Sequence, residues 1–230
     1  MARAVSENHP STWRLILIPA LISLAVTLLR LTGELLRWSE QWFSTATGGP
    51  VPSGVSWVVG ITWLPIPFGV YFAWRLLANG GGPPRAAKAV LYAILGLLAG
   101  SAVMIFLISQ LPVEFPYILI FLWLTGLAAA LLQLPAWPAL FKTLLAYGLA
   151  ARIPVIIVMA LAMLGNWGTH YDYVGMPEQF QMPFWPRFFW LAFFPQLVFW
   201  VSYTVLIGSL AGSITAAILQ RRGQALSASA

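Results

Sequence analysis

Six mostly apolar runs follow one another along the chain, separated by short polar or proline- and glycine-rich breaks. They cover about residues 13–32, 55–78, 86–109, 115–134, 139–165 and 187–219. A helix rises 1.5 Å per residue, so about 20 apolar residues cross the hydrocarbon core of a bilayer. The pattern predicts an all-α polytopic membrane protein, with residues 1–230 forming a single transmembrane domain of six helices. Ser11 and Thr12, after Pro10, cap the first run. The breaker Asn79-Gly80-Gly81-Gly82-Pro83-Pro84 ends the second. Pro65 and Pro67 in run two, Pro154 in run five and Pro195 in run six predict kinks in those three helices. The first apolar stretch leads into Arg30, Gly33, Glu34 and Arg37 rather than a small-residue cleavage site, so it reads as a retained helix.

The connections are short. Residues 33–54 and 166–186 are too few to build a core of their own. In the first, Leu35, Trp38 and Trp42 recur at i, i+3 and i+7, with Leu36 and Phe43 beside them. That spacing predicts an interfacial amphipathic helix over 33–45. Arg30, Glu34 and Arg37 have i, i+4 and i, i+3 spacing, so they can pair along the same helical edge. The second, an outer loop, ends in Phe184, Trp185, Phe188, Phe189 and Trp190, an aromatic belt at headgroup level.

Composition points the same way. Hydrophobic residues make up 60% of the chain and charged residues 8%, against about 25% charged in soluble domains. That balance excludes a soluble enzyme, a disordered tail and, despite the net charge of +6, a nucleic-acid binder. The absence of cysteine removes disulfides, thiolate nucleophiles and iron–sulfur clusters. The two histidines, His9 and His170, lie outside the apolar runs, which argues against a bis-histidine haem. We expect neither a cofactor nor a metal.

Charge placement sets the expected orientation. Arg3, Arg14, Arg75, Arg85, Lys88, Lys142, Arg221 and Arg222 fall on one side. Glu40, Glu114, Asp172 and Glu178 fall on the other, with Arg37 and Arg187 near the interface. The excess of basic residues in cytoplasmic loops then puts both termini in the cytoplasm. The expected location is a prokaryotic cytoplasmic membrane, whose anionic lipids attract the basic face.

Four features carry candidate chemistry. Arg152 falls near mid-depth of run five, where an unpaired cation costs several kcal/mol. Gln110, Gln133 and Tyr147 are its candidate polar neighbours. Pro65, Pro67 and Pro154 interrupt helices two and five at corresponding places, as in inverted repeats that frame a midplane site. Gly96/Gly100 and Gly208/Gly212 are spaced for close helix packing, within the chain, with a second copy or with a membrane partner. The outer loop gathers Asn166, His170, Asp172 and Glu178. His170 and Asp172 would there act as an oriented base or share a metal, but the plainer expectation is a folded loop whose polar groups satisfy one another. The Pro195-Gln196 pair is a lone dipeptide and carries no signal beyond the kink.

The leading expectation is a small transporter or facilitator with a midplane site for an anionic or carboxylate-bearing solute or lipid. Arg152, Pro154, Pro65, Pro67, Gln110, Gln133 and Tyr147 would line that site. The alternatives are an accessory subunit of a larger membrane complex, and an outer-face enzyme using the His170/Asp172 loop.

Overall fold

The computed structural model describes residues 11–46, 55–110, 117–173 and 181–228. All secondary structure among them is helical. The helices are α1 (Thr12–Leu35), α2 (Pro65–Ala78), α3 (Ala86–Gln110), α4 (Tyr117–Leu131), α5 (Pro138–Gly165), α6 (Phe184–Arg187) and α7 (Val201–Ala228). Two π-helical segments, Phe188–Phe193 and Pro195–Trp200, join α6 to α7 in one continuous helical run. Helices α1, α3, α5 and the run from Phe184 are each long and apolar enough to cross a membrane. The chain therefore has the make-up of a helical integral membrane protein.

The bundle has an apolar surface, and its largely apolar interior also holds a set of buried hydroxyls and small residues. On α1 the buried positions include Ile16, Pro19, Ser23, Thr27 and Glu34, a stripe at helical spacing. Trp13, Ile18, Leu21, Leu28 and Leu29 point outward and stay exposed. Lipid solvates leucine as well as a neighbouring helix does, so hydroxyls and small residues are what packing rewards. The rest of the bundle follows that rule. Gly69 of α2 meets Gly208 of α7 so closely that a Cβ on Gly69 would stand 2.4 Å from the Gly208 carbonyl oxygen. Gly212 packs against Leu140, Ala73 and the Gly69 carbonyl. Gly96 and Gly100 of α3 pack against Ala129 of α4. The four glycines expected to serve close packing therefore do so within this chain.

Two hydrophobic clusters fill the two halves of the bundle. One gathers Leu15, Ile16, Leu76, Ala86, Ala89, Trp137, Leu140 and Ala216. Arg14, Arg75, Arg85, Lys88 and Lys142 stand beside members of this cluster in sequence, so one end of the bundle is basic. The other cluster gathers Ile61, Leu64, Val155, Met159, Met163, Tyr171 and Leu191. Arg30, Glu34 and His170 lie at that second end.

Three expectations need correction. Residues 55–78 do not form one kinked helix. A 3-10 turn covers Ser56–Val59, bends follow, and Pro65 opens α2 at its first position. Proline fits there because a first-turn N–H has no helical acceptor anyway. Helix α5, by contrast, runs unbroken through Pro154, so helices two and five are not matched interrupted helices. Nor does an amphipathic helix cover 33–45. Helix α1 continues to Leu35, and Arg37 then adopts a left-handed φ of 55°. Its N–H bonds the Glu34 carbonyl and that of Trp38 bonds the Gly33 carbonyl, a Schellman stop. Turns follow to Phe43, whose ring packs on Gly33 and edge-on against Trp38.

Candidate functional site

Arg152 lies 14 residues beyond Pro138, the start of α5, hence about 21 Å along a helix of about 42 Å. It is 5% exposed. Two of the expected polar partners, Gln110 and Gln133, are elsewhere. Gln110 sits exposed at the end of α3 and donates to the Ser109 hydroxyl. Gln133 is buried beside Gly96 and donates to the Tyr92 carbonyl at 2.9 Å. Arg152 instead donates from Nη1 to Oε1 of Gln196 at 3.2 Å. Its guanidinium carbon stands 4.9 Å from the ring centroid of Trp200. Gln196 is fixed in turn, its amide reaching Sδ of Met159 at 3.6 Å.

Both partners come from the π segment Pro195–Trp200. Pro195 has no amide hydrogen to continue an α-helical ladder. The segment that Pro195 opens is wound as a wider π turn, bonded i to i+5. It also presents residues 196 and 200 to α5 together. The Pro195-Gln196 pair, which the sequence offers only as a kink, is thus the structural reason that Arg152 has a partner.

The arginine is still short of partners. Its Nε is buried and makes no hydrogen bond. Among the described residues no carboxylate pairs with it. Tyr147, Tyr203 and Tyr171 lie within electrostatic reach of it. Tyr147, as expected, belongs to this neighbourhood. Its hydroxyl bonds that of Ser23 at 2.8 Å and its ring packs on Phe68 and Phe72. Tyr171 donates to the Thr27 carbonyl at 3.3 Å. Pro154 lies two residues from Arg152 and leaves the Ala150 carbonyl without its usual helical N–H.

Pro65 and Pro67 bring the start of α2 to the same level. Leu64 shares a cluster with Val155 and Met159, and Phe68 touches Tyr147. That helix start has few amides to offer an anion. Pro65 and Pro67 have no N–H, and those of Ile66 and Phe68 already bond the Trp63 and Leu64 carbonyls.

At the far end a second polar group forms around Glu34, whose side chain is fully buried. Arg30 Nε donates to its Oε1 at 2.9 Å. The His170 backbone N–H donates to Oε2 at 3.0 Å, and His170 Nδ1 lies 2.6 Å from Oε1. Burial, more than any neighbour, holds the His170 imidazole below its usual pKa, with Arg30 adding to the shift and Glu34 opposing it. Burial also pushes the Tyr173 hydroxyl up to about 12.

The expected His170–Asp172 pairing is absent from this arrangement. Asp172 accepts the Gly168 and Thr169 N–H groups at 2.8 and 2.9 Å and closes a capping box with Thr169. Asn166 caps α5 with a left-handed φ of 47°. Glu178 lies outside the described residues. No group of three His, Cys, Asp or Glu side chains suited to a metal occurs among the described residues.

The spacing of Arg30 and Glu34 foretold their pairing, but sequence reasoning missed His170 as a partner of Glu34 and Gln196 as the partner of Arg152. A signal existed for the first: Ser23, Thr27 and Glu34 lie on one helical stripe of an otherwise apolar helix. Nothing in the sequence marks a π turn. No protein-family model matches the chain, and neither a curated protein nor a solved structure matches it.

Proposed function

We propose that the protein is a small polytopic facilitator or transporter that binds an anionic group at Arg152, in the middle of the membrane. The ligand class is a carboxylate-bearing or otherwise anionic solute or lipid. One observation carries this reading: a guanidinium 5% exposed, with an unpartnered Nε and no described carboxylate against it. An intramembrane cation left in that condition marks a ligand or pathway site. Gln196 and Trp200 hold its position while leaving one N–H edge uncommitted. Tyr147 and Tyr171 would add hydroxyls.

Six crossings with both termini in the cytoplasm accompany the proposal. The basic end of the bundle supports that orientation. At 14 residues α2 reaches only about 21 Å of a core about 30 Å thick. The irregular stretch 55–64 would complete its crossing. Non-helical backbone is tolerated at membrane depth where protein buries it, and Ser56, Ile61 and Leu64 are buried.

The test is uptake of radiolabelled benzoate, lactate and inorganic phosphate into proteoliposomes. Wild type should take up at least one faster than empty vesicles do, and Arg152→Ala, shown to be inserted and helical, should not. Uptake equal in the two, or no uptake of any of the three, would overturn transport. Protease access to tags on the same vesicles should find both termini on one side.

A further inference from the structure

We propose that the Arg30–Glu34–His170 cluster is a proton-binding site that gates the way to Arg152. The inference rests on the anion-site reading for what lies behind the gate. Its chemistry, however, stands on the cluster itself.

The tautomer follows from the donors. The Glu34 carboxylate already receives N–H groups from Arg30 and from the His170 backbone. A third neighbour within 2.6 Å of Oε1 must donate, so neutral His170 carries its hydrogen on Nδ1. Nε2 is then the free base. The imidazole is 24% exposed, which leaves a path for a proton from water. Protonation adds H⁺ at Nε2 and converts the ring to imidazolium, and no other bond changes. The cluster moves from net zero to +1, beside the Arg30 guanidinium and in surroundings poor in water.

Those surroundings decide the sign. The charged groups facing the ring, among the described residues, are Arg30 and Glu34 of α1 and Asp172 of its own 3-10 turn. Glu34 and Asp172 favour the imidazolium, whereas burial and Arg30 oppose it. Burial is the largest of these, and the ring stays neutral to a lower pH than a free imidazole. Neutral His170 therefore belongs to the docked loop. As pH falls below about 6.5, the ordinary imidazole value, proton uptake favours the state in which the ring has left Glu34 for water.

The consequence reaches inward through Tyr171. That residue follows His170, and its ring lies against the imidazole. Its hydroxyl donates to the Thr27 carbonyl, and it lies within electrostatic reach of Glu34 at one end and Arg152 at the other. Undocking His170 withdraws Tyr171 from α1. The buried polar stripe Thr27, Ser23 and Tyr147 then opens toward the medium.

The chain has no cysteine, so single cysteines report on this opening without background. Thr27→Cys probes a buried position under Tyr171, and Ser39→Cys an exposed one on the same side. In lipid nanodiscs, the labelling rate by a hydrophilic maleimide at Thr27→Cys divided by that at Ser39→Cys cancels the reagent's own pH dependence. The ratio should rise at least tenfold from pH 8 to pH 5.5. With His170→Gln added, the ratio should be flat, whatever its level. A ratio independent of pH without that substitution, or rising equally with it, would overturn the gate. A second measurement needs no variant of the cluster. In a His9→Gln background the imidazole resonance belongs to His170 alone, and it should titrate with a midpoint below that of free histidine. A midpoint at or above that value would contradict the proposal. Neither measurement contains an anion. A silent Arg152 therefore leaves them intact, and a rigid gate leaves the uptake result intact.

Discussion

Arg152 is buried and His170 partly so, and these two basic side chains are held in opposite ways. His170 is docked by three N–H groups converging on one carboxylate. Arg152 has an amide oxygen, an indole face and an idle Nε. The first arrangement ties protonation to folding. A histidine whose pKa is lowered in the folded state binds its proton more readily when unfolded, so acid destabilises the fold. The stability from neutral His170 is complete above pH of about 6.5 and is lost as pH falls toward the lowered value. The melting temperature of the purified protein should fall below that pH more steeply than that of His170→Gln. Parallel curves would show that His170 does not titrate in this window. At this scale the sequence was only half legible. Arg152 announces itself as a charge inside an apolar run. Its partner Gln196 does not, because the π turn that delivers it depends on packing between α5 and the run from Phe184.

Among the elements, long apolar runs were easy to read and irregular backbone was not. Helices α1, α3 and α5 fall close to their expected limits, since a lipid-facing helix needs little beyond length and apolarity. Two other elements went astray for physical reasons. Pro65 and Pro67 read as interruptions because a proline inside a helix and a proline opening one have the same neighbours in sequence. Leu35, Trp38 and Trp42 have helical spacing, yet the left-handed Arg37 ends α1 first and Phe43 folds back on Gly33. The glycine spacing on α7 was a dependable sign, and its meaning is local. A Cβ on Gly69 would fall 2.4 Å from backbone oxygen, which no rotamer change relieves. Gly69→Ala should therefore cost about 1–3 kcal/mol by overpacking, read as a lower melting temperature in detergent. An unchanged melting temperature would mean that α2 and α7 do not cross there.

For the molecule as a whole, the separation of charge is the organising feature. Basic residues collect at one end, an Arg–Glu–His group around the buried Glu34 closes the other, and Arg152 stands between them in the apolar interior. The proposed orientation would account for the basic end, and docking of the loop accounts for the far one. Neither explains an arginine midway along α5 with no described carboxylate against it, and this is what an anion would explain. Ligand-induced stabilisation of the purified protein addresses that claim most directly. A ligand that binds only the folded state, at about 100 times its Kd, adds about 2.7 kcal/mol. The account expects at least one of benzoate, lactate, inorganic phosphate or phosphatidic acid to raise the melting temperature of wild type, and to leave Arg152→Gln unmoved. Equal shifts in both proteins, or no shift with any of the four, would contradict it.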